Sequence, residues 1–183
     1  MRLKLTKRHA AALAIAACAG FAIPAQANTV NFGISITKKP TASISLTTAT
    51  FTWANITDSA TTSLAADNNP ASANVTGTLI TTYSSGAGQI NISAPANIVG
   101  TNGGTLPIAA LQIQCAGTAQ TGQTFNASSP TALTASGNTL CASYASGYNT
   151  PISFKLNMFV DDSQFPVDTY TSSNGFGLVA SAT

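Results

Sequence analysis

The chain has 183 residues, with seven Lys or Arg against five Asp or Glu. Beyond residue 27 only Lys38, Lys39 and Lys155 face Asp58, Asp67, Asp161, Asp162 and Asp168, a net charge of about −2, with no Arg, Glu or His. General acid–base catalysis, metal ligation and phosphate capture lean on the missing side chains. The composition therefore weighs against an enzyme, a cofactor, a metal site or a nucleic-acid partner.

Residues 1–27 read as a secretory signal peptide. Arg2, Lys4, Lys7 and Arg8 form the basic start, Ala10–Ile23 the apolar centre, and Ala25-Gln26-Ala27 the small-x-small cleavage pattern. The apolar run is shorter than the roughly 20 residues of a membrane span. A lipidation site at Cys18 would leave too short an apolar centre before it. Cleavage places Asn28 first and leaves about 156 residues, enough for one domain with its own core and no membrane span.

Residues 28–38 form a segment of their own, in which Val30, Phe32, Ile34 and Ile36 alternate with polar or small residues, a strand with one buried face. Two readings stay open. As an ordinary first strand, these four side chains bury in their own domain, and this is the default expectation. As a donor strand, they fill a neighbour's groove. Lys38-Lys39-Pro40 interrupts the pairing before the body, residues 39–183.

In that body Ala42, Ile44 and Leu46 continue the alternation, and Ala49, Phe51 and Trp53 take the opposite parity, which predicts a bulge near Thr47. Residues 58–74 read as a long surface loop or irregular edge. Val75, Leu79 and Ile80 predict a strand, as do Ile90, Ile92 and Ala94 after the Ser84–Gly88 turn. Thr101-Asn102-Gly103-Gly104 marks a second turn. Leu111, Ile113 and Cys115 form a strand with the cysteine facing inward, and residues 117–139 read as another long surface loop or irregular edge. Ile152, Phe154, Leu156, Met158 and Val160 give the cleanest alternation, and Phe176, Leu178, Ala180 and Ala182 close the chain. No helical stripe competes. Short strands between Gly, Asn and Ser turns predict an all-β fold, a single immunoglobulin-like antiparallel β-sandwich.

Cys115 and Cys141 are the even pair left after the signal, in a chain bound for an oxidising compartment, and are expected to form a structural disulfide. Asp161, Asp162 and Asp168 cluster in FVDDSQFPVD, where oxygen ligands for calcium are weighed against a solvated turn; the spacing lacks an EF-hand cage, so the turn is expected. Trp53, Tyr83, Tyr144, Tyr148 and Tyr170 are candidates for stacking on sugars. Asn55, Asn74, Asn91 and Asn126 stand in N-glycosylation patterns.

The signal, the lone alternating segment Thr29–Ile36 and the stretch Phe165-Pro166-Val167-Asp168-Thr169-Tyr170 before a terminal strand resemble the subunits of bacterial fimbriae assembled by chaperone and usher. In that family a subunit lacks its final strand, and a neighbour's N-terminal extension completes the sheet. The chain departs from the family in its late cysteines and in ending Ala180-Ser181-Ala182-Thr183 rather than with a penultimate tyrosine. The resemblance implies an exported structural protein of the periplasm, cell surface or extracellular space. Its partners would be copies of itself, other fimbrial subunits and an assembly chaperone. The alternative is a secreted carbohydrate-binding sandwich.

Overall fold

The computed structural model describes residues 33–37, 39–47, 50–54, 56–57, 61–80, 87–145, 149–172 and 175–182. The chain divides into two units, residues 1–36 and 37–183. In the first, residues 33–36 carry no strand.

The second unit is a succession of antiparallel strands. They are β1 (Thr41–Leu46), β2 (Leu64–Ala65), β3 (Val75–Ile80), β4 (Gly88–Ser93), β5 (Ile98–Val99) and β6 (Thr105–Leu106). There follow β7 (Leu111–Ala116), β8 (Gln123–Phe125), β9 (Thr131–Ala132), β10 (Asn138–Tyr144), β11 (Thr150–Val160) and β12 (Gly177–Ala182). One sheet runs β1-β3-β11-β7-β9, with β2 paired to the far half of β11; the other runs β12-β4-β10-β8. β5 and β6 make a separate hairpin whose turn places Gly103 at φ 87°, the left-handed region that favours glycine.

Period-two alternation builds both sheets. Along β11, Ile152, Phe154, Leu156, Met158 and Val160 are buried, while Ser153 is exposed and Lys155 and Asn157 are half-buried. Leu111, Ile113 and Cys115 on β7 and Ile90 and Ile92 on β4 supply the facing apolar rows, and all join one core. The two sheets thus pack as a sandwich. Cys115 on β7 and Cys141 on β10 are both fully buried and joined by a disulfide that links sheet to sheet, with Cα atoms 5.7 Å apart. The register of β10 against β4 shifts between Leu140 and Ala142, and both Cys141 and Ala142 are buried; the bulge aims the cysteine across the core.

One expectation is sharpened by the structure and one needs correcting. Residues 117–139, expected as a long surface loop or irregular edge, hold β8 and β9, which extend one edge of each sheet, and Ala127 and Leu133 enter the core. Phe51 and Trp53 form no strand. Their half-buried rings are held by an irregular arm, in which Trp53 Nε1 donates to the Leu64 carbonyl (3.0 Å) and Ala54 N donates to the Asp67 carboxylate (2.7 Å).

Candidate strand-addition edge

On one side of the sandwich the sheets end on β1 and β12, each with a single ladder partner among the described residues, β3 and β4 respectively. These two strands lie close together, with no ladder between them among the described residues. Their relative direction follows from the packing. Ala42 pairs with Leu79, whose side chain fills the space a Cβ on Gly88 would need, and Gly88 pairs with Ala182. The start of β1 and the end of β12 therefore share one pole, and the strands run antiparallel.

Between them the core is only partly covered. Ala42, Ile44 and Leu46 on β1 and Leu178, Ala180 and Ala182 on β12 face inward yet are half-buried, whereas the inward residues of β4, β7 and β11 are buried. Edge strands are commonly guarded by lysine, proline or other charge. TASISL and GLVASA contain none. β1 also sits unusually close to β3, since a side chain on Gly77 would collide with the Ser43 carbonyl. The result is two backbone edges, without a ladder partner among the described residues, flanking a strip of incompletely buried apolar surface.

Of the four N-terminal alternating residues, Val30 and Phe32 lie outside the described residues. Ile34 and Ile36 are 74% and 86% exposed.

The aspartate loop spends two of its carboxylates internally. Asp161 accepts from Ser163 N and Oγ and from Gln164 Nε2, and the Ser163 and Gln164 side chains hold its carboxyl below the usual carboxylate range. Asp168 is half-buried, which alone would raise its carboxyl. The N–H groups of Gly104 (2.9 Å), Thr169 (2.7 Å) and Asn102, with the Asn102 side chain, outweigh this and lower it. Asp168 thus clips the approach to β12 onto the β5–β6 turn.

Of the candidate sugar-stacking aromatics, Tyr144 and Tyr170 are engaged within the body. Tyr144 is buried, with Gln123 Nε2 donating to its hydroxyl, and burial pushes its pKa up to about 12. Tyr170 packs edge-on against Phe165 and donates to the Pro166 carbonyl. Tyr83 and Tyr148 lie outside the described residues. Asn74 is 2% exposed, which withdraws it as a glycosylation acceptor.

No family model matches the chain, and neither do the curated proteins or the solved structures. Among the described residues no helix is long and apolar enough to cross a membrane.

Proposed function

We propose that this is an exported structural subunit of a bacterial surface that assembles by strand addition, the segment 29–37 of one copy entering the edge between β1 and β12 of another. One observation carries the reading: both sheets end, on the same side, in uncharged strands whose outer edges have no ladder partner among the described residues and which leave the core between them half-covered. A strand laid there gains backbone hydrogen bonds from a free edge and buries its alternate side chains. The exposed Ile34 and Ile36 support the same reading, since they belong to a segment with the period a strand needs. The inter-sheet disulfide fits an oxidising, exported setting. In this reading the body is an immunoglobulin-like sandwich short of one strand.

The test is truncation before Lys38 followed by sizing and thermal unfolding. The expected outcome is a folded body that no longer forms multimers and that binds the free 28–38 peptide in trans with a rise in Tm. A full-length protein that stays monomeric at high concentration, and a truncated one that unfolds, would establish the ordinary first strand instead.

A further inference from the structure

The turn between β5 and β6, Gly100-Thr101-Asn102-Gly103-Gly104, is wrapped around a carboxylate from a segment more than 60 positions away. Asp168 accepts from Asn102 N (3.0 Å to Oδ2), from Gly104 N (2.9 Å) and from the side-chain Nδ2 of Asn102 (3.0 Å to Oδ1). Thr101 adds its N and Oγ1, which donate to the Thr169 carbonyl at 3.1 and 3.0 Å. A side chain at Gly100 would collide with the Asp168 carboxylate, and one at Gly104 would collide with the Tyr170 hydroxyl as well. Two glycines therefore build the close approach into the sequence.

The same turn contains a chemically labile pair. In Asn102-Gly103 the nucleophile is a glycine N–H, which meets no Cβ obstruction when it turns on the preceding side-chain amide. Both residues are exposed, and no atom lies within 4 Å of where a Cβ on Gly103 would sit. The folded clip holds both reacting groups apart from each other. Gly103 N donates to the Gly100 carbonyl (3.1 Å), and the Asn102 amide is held by Asp168. Attack must therefore wait for a local opening of the clip.

We propose that Asn102 is a site of spontaneous deamidation, gated by the Asp168 clip, and that its product keeps the clip open. Gly103 N gives its proton to hydroxide and bonds to Asn102 Cγ. The Cγ–Nδ2 bond breaks, and the amide nitrogen leaves as ammonia. Water then opens the cyclic imide at either carbonyl, which leaves aspartate or isoaspartate at position 102. Aspartate sets a second carboxylate where a donor stood 3.0 Å from Asp168 Oδ1, and like charges in that position repel. Isoaspartate brings the same charge and lengthens the turn backbone by one carbon. The other titratable group beside Asp168, the Tyr170 hydroxyl, is neutral near pH 7 and supplies no countercharge. Opening the clip frees the approach to β12 from the β5–β6 hairpin.

The experiment incubates the exported chain at mildly alkaline pH beside a free peptide of residues 98–106. Peptide mapping by mass spectrometry reads position 102 separately from the chain's other Asn-Gly pair, Asn174-Gly175. Conversion of Asn102 should be at least about tenfold slower in the native chain than in the peptide, and Asp168→Ala should restore most of that rate. Conversion in the native chain as fast as in the peptide would overturn the gating. An Asn102 that stays intact in Asp168→Ala while the peptide is exhausted would overturn the site. The effect of the product is read by amide hydrogen-exchange protection at residues 100–104 and 168–170. Asn102→Asp should lose more protection than Asn102→Ser near pH 7, and the excess should vanish below about pH 4, where the carboxylate pair takes up a proton. Equal protection in the two variants near pH 7 would overturn the like-charge effect. These readings are made on single chains and hold whether or not copies assemble.

Discussion

Asn74 holds Leu156 as a neighbouring strand would: its side-chain Oδ1 accepts from Leu156 N at 2.8 Å and its Nδ2 donates to the Leu156 carbonyl at 3.3 Å. Two residues on, Asn69 repeats the arrangement with Met158 N and O at 2.8 and 2.9 Å. β11 is longer than either of its partners on that side. β3 pairs residues 150–154 and β2 pairs 159–160. The two amides satisfy backbone groups in the gap, where buried N–H and C=O cannot go without partners.

Removing this mimicry should be costly. Asn74→Ala would orphan a buried N–H and a buried C=O, so a loss of about 2–4 kcal/mol is expected in urea unfolding. Asn69→Ala, at a half-buried position that water can reach, should cost less. If the two variants lose equal stability, burial is not what sets the cost.

What the sequence discloses and what it conceals follow from the same physics. β4, β7 and β11 are legible because their inward residues are large and apolar at period two, as in Ile152, Phe154 and Leu156. β8 and β9 are not, because two or three residues carry no readable period and the inward residue of β8 is Gln123. Phe51 and Trp53 show the period, but a ring buried under the 64–69 segment satisfies it as well as a ladder does. Asn69 and Asn74 sit in a polar stretch that reads as a loop, and their role depends on residues more than 80 positions away. The free edges of β1 and β12 are a property of strand order, which no local pattern encodes.

The disulfide between Cys115 and Cys141 should account for a large share of the stability. It closes 26 residues and ties one sheet to the other. Replacing both cysteines by alanine is expected to cost about 2–5 kcal/mol in denaturant unfolding. Both residues are fully buried, so the unreduced native protein should take up no alkylating reagent by intact mass. Uptake at two thiols would contradict the bond.

Stability should depend on pH at both extremes. Asp161 and Asp168 have folded-state carboxyls held below their ordinary value of 3.8, so they bind protons less readily than in the unfolded chain. Their contribution is complete above the ordinary carboxylate range and is lost as the pH falls through the folded values. Tm should therefore fall steeply below about pH 4, and Asp168→Asn should flatten that fall. Tyr144 behaves in the opposite sense. Its folded pKa of about 12 lies above the ordinary 10.0, so its contribution is present below pH 10.0 and is lost as the pH rises toward 12. Absorbance titration of tyrosinate, compared with Tyr144→Phe, checks this arm; a Tyr144 that ionises near the ordinary 10.0 would refute it.

The last expectation separates strand addition from mere stickiness of an apolar edge. Ala180 faces the half-covered strip, while its neighbour Val179 points outward and is 44% exposed. A lysine at either position adds the same charge to β12, but only at position 180 does it stand where an incoming side chain must pack. Because the strip is open to solvent, the long stem of Ala180→Lys can reach water, and the cost to the isolated body should be about 1 kcal/mol or less. The incoming strand, by contrast, would have to bury that ammonium or forfeit its pocket, an inward-pointing charge being a known block to edge pairing. Affinity of the N-terminally truncated body for the 28–38 peptide should fall by at least about tenfold in Ala180→Lys and stay close to wild type in Val179→Lys. Calorimetry on the three bodies, each first shown to unfold at a similar temperature, reads this directly. Equal losses in both variants would mean that general charge on the edge, and not occupancy of the strip between β1 and β12, controls association. Undiminished binding in Ala180→Lys would place the incoming strand elsewhere on the body.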